Sequence, residues 1–300
     1  MVPYSICLLV PFPTTVLSDV RSSVHMMTWA LFSELSKLSH ISVEFQGVHE
    51  PLIETQYDFV LCHCCFGEPM FEKLIEIRKH TKYKTILFME IPVKKEYIDY
   101  CFTYLPPADR SYCEEISLPC LSDVLDKHNK KKTSGTILLD HIWAPYWGTE
   151  KELSPQLHQW LGDCREQFTI SQLKRSGCEN MENFPDWITP LPEKRYVEYL
   201  DATAHFNTYI LTHPGSYEHS VIDMVYRGTR TLVPVINGVP FIPRATIDKL
   251  DLETFSNKDE LLLLLNKPIT VRDRRKMFTS MTSVANRIDS YCRRSIIKPP

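Results

Sequence analysis

The chain has 300 residues, 43% of them hydrophobic, enough for one large or two medium α/β domains that each bury a core. Its 34 basic and 37 acidic residues leave a net charge of -3, which removes the strongly basic signature of nucleic-acid and anionic-membrane binders. The longest apolar run near the start, Ile6 to Phe12, is too short for a bilayer, contains proline and has no basic stretch before it, so a soluble, unprocessed, cytoplasmic chain is expected.

Ser5 to Phe12 reads as a buried strand, and Ser18 opens a helix with Val20, Val24, Met27, Leu31, Leu35 and Leu38 at helical spacing. Ile41 to Phe45 alternates as a half-buried strand. Tyr57 to Cys62 is an apolar strand, Met70 to His80 a helix, and Thr85 to Met89 another strand, ending in Glu90. Tyr97 to Leu105 is read as a further strand, and Pro119 to Lys127 as a short helix with proline in its first turn. Strands alternating with helices predict a parallel sheet with right-handed crossovers.

The charged, small-residue segment Lys127 to Gly135 is the expected domain boundary. The pattern then restarts with strand Thr136 to Leu139, helix Ser154 to Leu161, strand Phe168 to Leu173 and helix Lys194 to Ala202. Strand Tyr209 to Leu211 runs into a polar turn, His213 to Tyr217, followed by a helix from Ser220 to Tyr226, Gly228 and the strand Leu232 to Val235. Ser256 is read as the cap of a helix beginning near Lys258, and a terminal helix spans about Val271 to Arg294. The strand-turn-helix-strand around residue 215 is a βαβ unit whose turn lies at the carboxyl end of its first strand. There a helix N-terminus presents unpaired N–H groups to an anion, so a phosphate-bearing ligand, a nucleotide, is expected.

Two doubly wound halves with a nucleotide-type turn in the second and a closing helix resemble GT-B glycosyltransferases. The large retaining family among them has a segment of the form E-x-F-G-x-x-x-x-E-A-x-A-x-G-x-P-V. With Gly228 on its later glycine, Asp223 takes the second acidic position and Tyr217 the aromatic one. Gly215 falls on the first acidic position with Glu218 three residues on, and Arg230 replaces the proline. The resemblance implies a Rossmann-like acceptor domain over residues 1–130, a Rossmann-like nucleotide-sugar domain over 131–270, and a C-terminal helix, 271–300, packing back on the first domain. It implies hexosyl transfer without metal or other cofactor, from a UDP- or GDP-sugar to a glycan, lipid-linked saccharide, protein or modified DNA. Asp223 would hold the ribose, and the turn His213, Gly215, Ser216, Tyr217 and Glu218 the diphosphate. His63, at the end of an internal strand in the context Asp58-Phe59-Val60-Leu61-Cys62-His63, resembles the family's first-domain histidine, and with Glu90 it would face the acceptor.

The chain departs from the family where it lacks a glycine-rich turn after the first strand, which here reads Pro11-Phe12-Pro13-Thr14-Thr15. No Arg–Lys pair follows the strand that ends at Asp140, leaving Lys151, Lys174 and Arg175 as the cations for a leaving diphosphate. Two other readings therefore stand beside the transferase. One is a catalytically silent GT-B-like protein that binds a nucleotide or a partner. The other is a metal or thiol-redox protein built on Cys62-His63-Cys64-Cys65. The aromatic cluster Trp143, Tyr146 and Trp147 is able to stack on a base or sugar, or to pack in a core.

Overall fold

The computed structural model describes residues 2–10, 23–51, 56–63, 68–79, 81–90, 98–104, 107, 109–140, 154–173, 185–192, 194–212, 214, 219–269 and 275–297. The chain divides into two compact units, Met1–Leu121 with Phe278–Pro300, and Ser122–Met277.

In the first unit, β1 (Tyr4–Val10) and β3 (Tyr57–His63) are almost uninterrupted apolar runs, as strands covered on both faces must be. With α1 (Ser23–Ser36), β2 (Ile41–Gly47), α2 (Glu68–Arg78), β4 (Thr81–Glu90), β5 (Tyr100–Thr103) and β6 (Cys113–Glu115) they build one parallel sheet in the order β2-β1-β3-β4-β5-β6. The Asp58 carboxylate sets the register of β3 on β1, accepting from the Ser5 amide at 2.8 Å and hydroxyl at 3.1 Å. The chain runs outward from β1 to β2 and then crosses to β3 on the other side of β1. The carboxyl ends of β1 and β3, Val10 and His63, therefore flank the point where strand order reverses.

The segment read as a helix from Pro119 instead begins as β7 (Leu118–Cys120), and the helix α3 (Ser122–Lys127) follows it. Proline cannot donate to a ladder, and among the described residues β7 has a single strand partner, so Pro119 is tolerated. α3 opens the second unit, which continues through β8 (Thr133–Leu139), α4 (Pro155–Cys164), β9 (Thr169–Leu173), β10 (Ile188–Leu191), α5 (Tyr196–Thr203), β11 (Phe206–Ile210), α6 (His219–Tyr226) and β12 (Arg230–Ile236). A hairpin over Asn237 and Gly238, both at positive φ, leads to β13 (Val239–Pro240). Then come α7 (Arg244–Leu250), β14 (Glu253–Phe255) and α8 (Lys258–Asn266). Asn257, not Ser256, caps α8, accepting from Glu260 N at 2.9 Å, while Ser256 donates back to the Glu260 carboxylate.

Parallel strands run β10-β9-β8-β11-β12-β14, the strand order of a dinucleotide-binding sheet, with β13 added antiparallel to β12. Order reverses between β8 and β11. α6 ends as its glycine foretells: Gly228, at φ 73, donates to Val225 O, and Thr229 donates to Met224 O, so the last carbonyls are satisfied.

After Met277 the chain is again part of the first unit. β15 (Phe278–Ser280) pairs with β7, and α9 (Met281–Ile297) packs on α1. The terminal helix thus starts ten residues later than the sequence pattern places it, because Phe278–Ser280 is taken by a strand and Ser280 Oγ accepts from the Ser283 amide. Asp289 anchors α9. It accepts from Tyr4 Oη and from Arg293 Nε, both at 2.8 Å, and its Oδ1 lies 2.8 Å from His40 Nε2.

Candidate functional site

In a βαβ unit the helices run antiparallel to the strands, so their first turns stand beside the carboxyl ends of the sheet. In the second unit those ends, at β8 and β11, carry buried polar side chains. Asp140, directly after β8, is fully buried, and its carbonyl accepts from Gln172 Nε2 of β9 at 2.9 Å. Thr212, just past β11, is buried beside it, 3.5 Å from the same oxygen. Tyr209 of β11 donates to Ser220 Oγ in the first turn of α6 at 2.9 Å. Burial and then the Asp140 carboxylate hold the Tyr209 phenol far above its ordinary range.

Asp223 lies in the second turn of α6, 3% exposed, and Oδ2 accepts from the Tyr196 hydroxyl at 2.7 Å. Burial raises its pKa from 3.8 to about 7, against the pull of the Tyr196 hydrogen bond and the Arg227 charge. His219, the first residue of α6, is buried as well, and desolvation lowers its imidazole to about 4, so it is neutral at pH 7. The start of α6 thus combines helix-terminal N–H groups with a neutral histidine, and no carboxylate stands in its first turn.

The buried cations serve the opposite end of the sheet. Arg227 donates to Leu200 O at 2.7 Å, Thr203 Oγ1 at 3.1 Å and His128 O at 3.3 Å, closing α5 and the residues after α3. Arg230, which replaces the proline of the resembled motif, donates to Lys267 O at 2.7 Å and Pro268 O at 2.9 Å after α8. Both are C-terminal helix staples. Lys151, Lys174 and Arg175, the cations singled out from the sequence, lie outside the described residues. So do His213, Gly215, Ser216, Tyr217 and Glu218 of the expected phosphate turn, and Trp143, Tyr146 and Trp147.

In the first unit His63 closes β3 at the strand-order reversal. It is fully buried, with Nδ1 2.8 Å from Thr28 Oγ1 of α1. Glu90 is the last residue of β4, its backbone in register with Thr103, and its side chain lies outside the described residues. Of the rival Cys62–Cys65 motif, Cys62 and His63 lie on opposite faces of β3. Cys62 packs with Cys7, Leu74 and Ile77, whereas His63 points to the other face and Thr28. Burial raises the Cys62 thiol far above its ordinary range, the reverse of an activated thiolate. Cys64 and Cys65 lie outside the described residues. Among the described residues no three His, Cys, Asp or Glu side chains form a metal-holding group, and seven described cysteines are buried thiols outside any disulfide.

Sequence reasoning singled out Asp223 and His63, both of which are buried, but not the buried polar residues Tyr196, Asp140, Gln172, Thr212 or His219. Tyr196 occupies an apolar position of an amphipathic helix, and Asp140 reads as a strand terminus. Only the three-dimensional order of β8, β9 and β11 brings Asp140, Gln172 and Thr212 together.

No protein-family model matches this sequence, and no curated protein matches it. Solved structures do match in fold. The UDP-GlcNAc 2-epimerase of Neisseria meningitidis bound to UDP-GlcNAc superposes with a TM-score of 0.62 at 8% identity, covering 96% of this chain and 99% of that one. The Methanocaldococcus jannaschii UDP-GlcNAc 2-epimerase in complex with UDP-GlcNAc and UDP gives 0.59 at 9% identity, with the same coverage of 96% and 99%. The spinosyn rhamnosyltransferase SpnG complexed with thymidine diphosphate gives 0.56 at 8% identity, covering 95% of this chain and 100% of that one. The likeness is one of fold: two Rossmann-like domains of the GT-B kind. No helix among the described residues is long and apolar enough to cross a membrane.

Proposed function

We propose that the protein is a glycosyltransferase that takes a sugar from a nucleoside-diphosphate donor bound in its second unit. The observation that carries this reading is the strand-order reversal between β8 and β11 with α6 starting beside it. Open α/β sheets bind ligands at such a point, and a helix N-terminus is suited to a diphosphate. The solved GT-B structures named above, in complex with UDP-GlcNAc and UDP or with thymidine diphosphate, support the ligand class.

In this reading the turn from His213 to Glu218 and the first amides of α6 hold the diphosphate, with the neutral His219 ring beside it, and Asp223 accepts from the ribose hydroxyls. No metal is called on, since amide dipoles carry the developing charge on the leaving group. His63 and Glu90 are assigned to the acceptor, with Thr28 holding the His63 ring. Exclusion of water protects the oxocarbenium-like state from hydrolysis.

The fold likeness to epimerases supplies the second reading, interconversion at C2 of the same kind of donor. Incubation with UDP-GlcNAc, UDP-glucose, GDP-mannose and TDP-rhamnose, with saccharide acceptors, separates the two. Transfer releases a nucleoside diphosphate, seen by phosphorus NMR, and makes a new glycosidic bond. Epimerisation changes the sugar proton couplings without an acceptor and without net glycoside formation. Tight binding with neither product identifies a silent binding protein and overturns the transferase assignment.

A further inference from the structure

We propose that Tyr196 is a positioning residue of the donor site: its buried hydroxyl, donated to Asp223 Oδ2 at 2.7 Å, fixes the orientation in which that carboxylate meets the ribose of a nucleoside diphosphate. The inference rests on the donor-site reading above.

Placement supports it first. Tyr196 is the first residue of α5, and Asp223 stands in the second turn of α6. Both helices run against the strands, so this pair lies toward the carboxyl end of β11, where the ligand is expected. Tyr196 is 1% exposed and Asp223 3%, and both are supplied by elements that flank the strand-order reversal.

Cost supports it next. A carboxylate taken out of water is expensive unless well paired, and a packed apolar pair of the same volume is generally no less stable. The cation closest in charge to Asp223, Arg227, directs its guanidinium to Leu200 O, Thr203 Oγ1 and His128 O instead. Stability alone therefore gives little reason for Asp223 with a phenol upon it. A carboxylate that must accept from a diol does.

The groups facing Asp223 make the effect readable. From α5 come Tyr196 and Tyr199, whose phenols are both raised beyond their usual range, and from the end of α6 comes Arg227. Burial pushes the Asp223 carboxyl up to about 7, while the Tyr196 hydroxyl and Arg227 pull it down. Removing the hydroxyl leaves burial less opposed, so the carboxyl ionises at higher pH. Ribose hydroxyls donate to the ionised form, and donor affinity should follow that ionisation.

The test is calorimetric titration of the full chain with UDP and with TDP between about pH 6 and pH 9.5, for the wild type, Tyr196→Phe and Asp223→Asn. The wild type should gain affinity as pH rises through about 7. Tyr196→Phe should bind about tenfold more weakly at pH 7, recover most of the loss by about pH 9, and show its rising limb about one pH unit higher. Asp223→Asn should bind weakly with a flat profile. The phenylalanine keeps the ring, and a thermal midpoint within a few degrees of wild type confirms that it folds. An unmoved pH profile in Tyr196→Phe, or an equal loss at every pH, overturns the positioning role while leaving the donor site standing. No binding of either nucleotide to the wild type overturns the donor site, and this inference with it.

Discussion

Asp223 is a buried carboxyl of the second unit that accepts from Tyr196. Its folded pKa is about 7 against an ordinary 3.8, so the folded chain holds a proton that the unfolded chain releases. The stabilisation carried by that proton is whole below about pH 4 and is lost as pH rises through 7. Asp223→Asn keeps an acceptor for Tyr196 and needs no proton. The variant should match wild type near pH 4 and exceed it above pH 7 by up to about 4 kcal/mol, read as a urea-denaturation difference across that range. A variant less stable than wild type at pH 8 contradicts the buried-acid description. His219 has the opposite sign. Its pKa is lowered to about 4, so the unfolded chain takes up a proton first and this group costs stability as pH falls below 6.5. A neutral imidazole and a neutral-range carboxyl in one helix give the site a charge state that changes near physiological pH.

At the scale of the element, α6 is defined at both ends by features of its sequence, and the two ends do different work. Its C-terminus is closed by Gly228 in a left-handed conformation and by Arg227, which ties α5, α6 and the segment after α3 into one layer. Arg227→Met retains much of the volume but leaves the acceptors at Leu200 and His128 without their donor. It should cost about 3 kcal/mol, a fall of several degrees in thermal midpoint, and, because the Arg227 charge pulls the Asp223 carboxyl down, it should also raise the pH at which nucleotide affinity rises. An unmoved pH would contradict the charge coupling between Arg227 and Asp223. The glycine, the flanking apolar strands and the helix were legible because local chemistry dictates them. What escaped notice depended on partners distant in sequence. Pro119 looks like a helix start until Phe278 to Ser280 pairs with Leu118 to Cys120 and makes it a strand. Arg230 looks like a lost motif proline until the carbonyls of Lys267 and Pro268 take its guanidinium.

For the whole molecule, alternation of strands and helices announced two parallel α/β sheets, and both are present with their order reversals beside His63 and Asp140. The likeness of fold to GT-B structures extends over 95% or more of the chain at 8% to 9% identity. Such a likeness survives because burial pattern and topology constrain sequence far more loosely than a site does. The candidate site was less legible than the fold. Asp223 was singled out by its spacing from Gly228, whereas Tyr196 is brought to it only by tertiary packing. The most direct test of the account is a thermal-shift titration of the purified chain with UDP, GDP and TDP, each taken to about a hundred times its dissociation constant. Binding to the folded state should add about 2.7 kcal/mol and raise the midpoint by several degrees for at least one of the three. Midpoints unchanged by all three nucleotides would contradict a nucleoside-diphosphate site at the carboxyl ends of β8 and β11.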